Sequence, residues 1–266
     1  TLDMKHRRGK DLLKQLVKKA DVLVENFRPG VMARLGLNYE VLCQKNPNLI
    51  YCAISGFGQT GLRNGDPAYD QIIQGFTGAM SITGSPETKP YRVGYPIADT
   101  SGGMAAAMTI AAALNAQPRG AFLDVSMTDA VLSAMGWVVS NYLIASTEPA
   151  AHGNENTTSA PSGTFATADQ PINIAANRDE QWVSLALHIG RPELLDHPNY
   201  VTREMRKAHR HALRHEIETV LTTRPADDWV AELNAIGVPS GPVLSVPQVL
   251  DDAQIAQRDE IATLSR

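Results

Sequence analysis

"PNLIYCAIS", residues 47–55, decides the fold. It is a near-continuous apolar run of strand length, followed at once by a glycine-rich loop. A strand buried on both faces reads this way, and such strands belong to parallel sheets with helices on each side. The preceding residues agree. "GKDLLKQLVKKA" (9–20) puts apolar residues at 12, 13, 16 and 17 with basic ones between, the spacing of an amphipathic helix. "DVLVEN" (21–26) is a short buried strand, "VMARLGL" (31–37) a helical turn ending at Gly36, and "NYEVLCQKN" (38–46) a helix from Asn38. Helix and strand alternate, as a helix-covered parallel sheet requires.

After residue 55 the pattern predicts a glycine-rich loop over 56–66, a helix over 67–78 and a loop to about 96. A long uncharged helix then begins at Asp99. "AFLDVSM" (121–127) follows as a strand, and "TDAVLSAMGWVVSNYLIAS" (128–146) as one long helix capped by Thr128. Composition turns polar over 147–163, which predicts a domain boundary. Beyond it, "PINIAAN" (171–177) reads as a strand, 179–236 as mostly helical, "VPSGPVLSV" (238–246) as a strand and "PQVLDDAQIAQR" (247–258) as a helix. The expected fold class is α/β. A Rossmann-like large domain with a parallel sheet is formed by 1–147 and 241–266, and 148–240 form a smaller, mostly helical α+β domain.

The chain of 266 residues is 20% charged and 43% hydrophobic, with a net charge of −4. That balance is globular, and it argues against nucleic acid or an anionic membrane as the main partner. The longest uncharged stretch, 100–118, is rich in Gly, Ser and Thr at its start, which disfavours a bilayer span. Cys43 and Cys52 lie in segments that read as buried, consistent with a reduced, cytoplasmic chain. The sequence opens without Met inside what reads as an established fold, so a fragment of a longer protein is expected.

Four motifs carry possible chemistry. "GFGQTG" (56–61) matches the glycine pattern of dinucleotide-binding loops, but "LRNGDP" follows it where a helix must open to face a pyrophosphate. It reads instead as a backbone-exposing loop beside a site. His211 and His215 have the i, i+4 spacing of a zinc pair, yet no third ligand is obvious and Arg and Lys crowd the same helix. "ENFRPG" (25–30) places Asn26 and Arg28 after a strand end, the edge where ligands of open α/β sheets gather. An ordinary turn set by Pro29 and Gly30 fits equally well. Asp99, alone before the uncharged segment, reads either as a helix N-cap or as a nucleophile beside helix-start amides. Local sequence leaves both open.

"ADVLVENFRPGVMARLGL" (20–37), "NPNLIYCAISGFGQTG" (46–61), "YPIADTSGGMAAAMTIAAAL" (95–114) and "GVPSGPV" (237–243) together resemble the family III CoA-transferases, the formyl-CoA and carnitine CoA-transferase group. The resemblance runs through nearly the whole chain. It implies that Asp99 is the nucleophile, passing through a mixed anhydride and an aspartyl-CoA thioester. It also implies that Leu2, Lys5, Asn26, Phe27 and Arg34 contact coenzyme A, and that Tyr69 lies near the aspartate. Acyl-CoA and a carboxylic acid would be the substrates, with no permanently bound cofactor and no metal. The partner expected is a second copy of the chain in an interlocked homodimer.

An α-methylacyl-CoA racemase of the same fold is the alternative, but it would need a histidine at the Tyr69 position, because a phenol holds its proton at neutral pH. A non-catalytic acyl-CoA binding protein is a third reading. "GNEN…APSGTF" and "INIAAN" are closer to members handling small dicarboxylates, such as succinyl-CoA with a small diacid. Arg92 or His152 would pair with a distal carboxylate, or both are plain surface residues. Family members extend further at both ends.

Overall fold

The computed structural model describes residues 1–264, in two compact units that meet in sequence between Gly153 and Asn154. The first unit holds α1 (Arg7–Val17), β1 (Val22–Glu25), α2 (Val31–Leu35), α3 (Tyr39–Leu42), β2 (Ile50–Ser55), α4 (Asp70–Phe76), α5 (Ala79–Ile82), α6 (Ile97–Asn115), β3 (Ala121–Ser126), α7 (Met127–Ala134) and α8 (Gly136–Ala145). The second holds β4 (Ser162–Phe165), β5 (Ile172–Ala175), α9 (Asp179–His188), α10 (Arg203–Ala208), α11 (Arg210–Leu221), α12 (Ala226–Ala235), β6 (Ser240–Pro242), α13 (Val246–Leu250) and α14 (Ala253–Gln257).

Three strands form a parallel sheet in the order β1-β2-β3, with Val22 opposite Ile50 and Ile50 opposite Ala121. Side chains alternate along β2, as strand geometry demands. Tyr51 and Ala53 join Val17, Met32, Leu37, Leu42 and Leu49 under α1–α3. Cys52 faces the other way, with Ala106 of α6 and Val125 of β3. The central strand is therefore buried on both sides, which is why its sequence lacks polar alternation. α6 is long and apolar enough by length and composition to cross a membrane. Here Ala98, Gly102 and Ala106, four residues apart, form its buried stripe. Ala98 shares a core with Met127, and a Cβ on Gly102 would stand 3.0 Å from the Met127 side chain.

In the second unit β4, β5 and β6 form an antiparallel sheet. Phe165, Ile172 and Ile174 pack there with Trp182, Leu185, Leu213, Ile217 and Trp229 of the surrounding helices.

Three expectations differ from the structure. The stretch 128–146 is two helices, broken at Gly136, whose φ of +36° is outside the helical range. Its cap is Ser126, which accepts from the Asp129 N–H, while the Thr128 hydroxyl is turned to the Gly56 carbonyl. Finally, 241 onward does not return to the first unit: Ile172 pairs with Pro242 and Asn173 with Gly241, which ties the strand to β5. Residues 265 and 266, the end of that expected return, lie outside the described residues.

Candidate active site

The carboxyl ends of β1 and β2 open onto a cavity of about 440 Å³ within the first unit. Its wall includes Asn26, Phe27 and Arg28 from the turn after β1, Ser55, Gly56 and Phe57 from the end of β2, and Tyr69, Asp99 and Gly103. Each is held by its own local chemistry. The Glu25 carboxylate accepts from the Phe27 N–H at 2.8 Å and so fixes the turn that presents Asn26 and Arg28. Burial pushes the Glu25 carboxyl above its usual range, opposed by that bond. The Gly56 carbonyl accepts from both the N–H and the hydroxyl of Thr128, at 3.0 and 2.8 Å, and this locks the end of β2. Ser55 Oγ beside it is buried and has no partner among the described residues.

The glycine loop is occupied by the protein itself. The Gln59 N–H donates to both oxygens of Asp124, at 3.1 and 3.0 Å, and no helix starts until Asp70. The structural requirement of a pyrophosphate loop is therefore missing.

Asp99 is not the N-cap. That position is Pro96, and Asp99 lies within the first turn of α6. The capping duty falls to Asp70, whose Oδ1 accepts at 2.8 Å from the N–H of Ala98, 28 residues further along the chain. The Asp99 carboxylate is consequently released from hydrogen bonding and has no such partner among the described residues. It stands exposed at the mouth of the cavity. Desolvation, and then the nearby negative charge of Asp70, raise its carboxyl above the usual aspartate value. The start of a 19-residue helix supplies a fixed positive potential at the same place.

Tyr69, immediately before α4, is 75% exposed and lines the cavity. The structure thus brings together Asn26, Phe27, Tyr69 and Asp99, as well as Arg28. It does not bring the others to this wall. Leu2 lines a separate shallow depression beside α1 with Asp3, His6 and Arg8, and Lys5 and Arg34 are exposed and line neither cavity. Arg92 and His152 are also exposed and absent from the wall. Arg28 does lie on this wall, and its guanidinium makes no ion pair among the described residues. His211 and His215 are exposed, and the described residues hold no group of three metal-ligating side chains. Sequence reasoning missed Ser55, Asp70 and Gln74. Asp70 follows Tyr69 in "AYDQIIQ", but its partner Ala98 is remote in sequence and left no local signal.

A carboxylate at a helix start, unbonded and facing a cavity with a cation on its wall, is equipped to attack an electrophilic carbon and to have the resulting charge stabilised. The chain is similar to several known proteins. The family description CoA-transferase family III matches residues 1–266. The acetyl-CoA:oxalate CoA-transferase of Acetobacter aceti is 40% identical over 262 residues, covering 97% of this chain and 67% of that protein. The succinate–glutarate CoA-transferase of Agrobacterium fabrum is 35% identical over 259 residues, covering 96% of this chain and 65% of that one. A crystal structure of a CAIB/BAIF family protein from Brucella suis superposes with a TM-score of 0.88 at 35% identity, covering 97% of this chain and 69% of that one. The chain spans about two thirds of the length of these relatives.

Proposed function

Because the chain belongs to CoA-transferase family III, we propose that it moves coenzyme A from an acyl-CoA donor to a free carboxylic acid, with Asp99 as the nucleophile. The observation that carries this reading is the Asp99 carboxylate itself: unbonded, in the first turn of α6, on the wall of a 440 Å³ cavity with Tyr69, Asn26 and Arg28.

In the first step an Asp99 oxygen attacks the donor's thioester carbon. The C–S bond breaks, leaving an aspartyl–acyl anhydride and the CoA thiolate. The thiolate attacks the aspartyl carbonyl, which releases the donor's acid as a carboxylate and leaves an aspartyl-CoA thioester. The acceptor carboxylate attacks this thioester and expels the thiolate, giving a second anhydride. The thiolate then attacks the acceptor's carbonyl, forming the new acyl-CoA and restoring Asp99. No step needs net redox or a net proton, and each exchanges one activated acyl group for another. The α6 amide dipoles favour the charge that develops on the carbonyl oxygens.

We propose small dicarboxylates as the acid class. The relatives named for oxalate and for succinate and glutarate support this, as does the unpaired Arg28 guanidinium, which suits a distal carboxylate. Coenzyme A contacts at Asn26 and Phe27, a homodimeric state and a cytoplasmic location belong to the same proposal. Met104, Met108, Trp137, Leu143 and Ile144 are all more than half exposed in the single chain and support a partner subunit.

The test is chemical trapping. With acyl-CoA and hydroxylamine the protein should acquire a hydroxamate at Asp99, and the Asp99→Asn variant should not. A wild-type protein that exchanges CoA without ever giving that adduct refutes the assigned nucleophile. Exchange of the substrate α-proton with deuterium, without acyl exchange, would mean racemisation instead.

A further inference from the structure

The Asp99 mechanism asks for a carboxylate held in place without being hydrogen-bonded itself. The residues that meet this demand are one turn apart on α4. Asp70 opens that helix and Gln74 lies four residues on, so both face the same side. Gln74 is fully buried, and a buried amide must satisfy both its donor and its acceptor ends. Its Nε2 donates to Asp70 Oδ2 at 2.6 Å, and its Oε1 accepts from the Val93 N–H at 3.0 Å. The other Asp70 oxygen accepts from the Ala98 N–H. A single chain of bonds therefore runs from the loop before α6, through α4, to the amide next to Asp99, and Asp70 is itself the neighbour of Tyr69.

We infer that Asp70 and Gln74 are positioning residues that set the Asp99 carboxylate and the Tyr69 ring at the mouth of the cavity. The inference rests on the proposed role of Asp99 as nucleophile. The bond directions make it specific. Position 70 must accept twice, from Ala98 and from residue 74. Position 74 must donate once and accept once. Aspartate with glutamine meets both conditions. Asparagine with glutamine does not, because two amide NH₂ groups would face each other, or the Ala98 N–H would lose its acceptor. Asparagine at 70 with glutamate at 74 reverses the bond between the two positions and still leaves every group partnered: the asparagine would accept from Ala98 and donate to the glutamate, which would still accept from Val93.

The exchange is the experiment. In the full chain, Asp70→Asn is expected to lower kcat for CoA transfer by about ten- to a hundredfold while the acyl-CoA KM stays within about twofold, the signature of a misplaced reacting group. The double variant Asp70→Asn/Gln74→Glu is expected to regain kcat to within about threefold of wild type. A second readout is the acid limb of the pH–rate profile. The charge that acts on Asp99 is Asp70 on α4, and the other charged groups on its cavity wall are Arg28 after β1 and Asp66, which is paired with Arg63. Of these only Asp70 changes, so the limb moves to lower pH in Asp70→Asn. Should the single variant fail to fold, the double variant alone decides, through its yield of folded protein and its rate. A single variant with wild-type kcat overturns the inference. So does a double variant that melts like wild type yet is as slow as the single one. A wild-type protein with neither CoA exchange nor a hydroxamate overturns the transferase reading first, and the positioning role with it.

Discussion

Gly56 is the position where one methyl group tests the whole architecture of the site. It ends the locked segment of β2 and lines the cavity. A Cβ built there would lie inside the contact radius of the Ala68 methyl and 3.2 Å from Ile73 Cδ1. Carbon atoms settle at about 3.5–4.0 Å, so the two methyls in Gly56→Ala must part by at least about 1 Å. β2 cannot yield, because the Gly56 carbonyl is held twice by Thr128. The displacement therefore falls on Ala68, and with it on Tyr69 and Asp70. Overpacking of this kind costs about 1–3 kcal/mol, which for a unit of this size lowers Tm by roughly 3–10 °C. A shift of about 1 Å in a positioning element costs on the order of a hundredfold in rate. Differential scanning fluorimetry and CoA-transfer kinetics read the two effects. The decisive control moves the methyl rather than adding it: in Gly56→Ala/Ala68→Gly the nearest Ala68 atom left is Cα at 3.6 Å, an ordinary contact. That pair should recover Tm to within about 3 °C, along with most of the rate. Gly65→Ala, with nothing within 4 Å, should match wild type. If Gly56→Ala melts and turns over like wild type, the packing of residue 68 against the end of β2, and the reasoning built on it, is wrong.

Three further outcomes are expected. Both causes of the Asp99 shift oppose ionisation, so the folded chain holds that proton to higher pH than the unfolded chain does. Activity should therefore fail on the acid side at a pH above the usual aspartate value of 3.8, and at neutral pH Asp99→Asn should melt at or slightly above wild type while losing transfer. Arg206 is 2% exposed and donates to the Ala160 and Tyr200 carbonyls and to Asp179. Arg206→Met should cost about 2–4 kcal/mol, measured by urea unfolding followed through Trp182 and Trp229 fluorescence; a cost below the noise of that curve would contradict the buried network. Light scattering on the purified chain should give twice its 28.8 kDa, and a stable monomer at micromolar concentration would sink the dimer proposal.

The parallel sheet was legible because burial on both faces removes polar alternation from a strand, and Ile50–Ala53 show that directly. Asp99 was legible as a lone acid before an uncharged helix, although locally its reading as a cap was the stronger one. What removes the cap reading is Asp70, which accepts from the Ala98 N–H out of another helix, and a contact of that range leaves no periodicity in sequence. β4 was hidden inside a polar segment, with Ser162, Gly163 and Thr164 in place of large apolar residues. The break at Gly136 was hidden for the opposite reason: apolar residues run through it, and one glycine inside such a run need not end a helix. The cofactor contacts expected at Leu2, Lys5 and Arg34 depended on resemblance alone, and these residues lie away from the cavity wall.

The pairing of β5 with β6 also bears on how the chain emerges from the ribosome. The first sheet is complete once Ser126 has been made, whereas Ile172–Ala175 must wait through four helices for Ser240–Pro242. One edge of a short apolar strand thus stays open during most of the synthesis of the second unit. This is the kind of exposed edge on which newly made chains stick to one another, so crowded overexpression should threaten the second unit before the first.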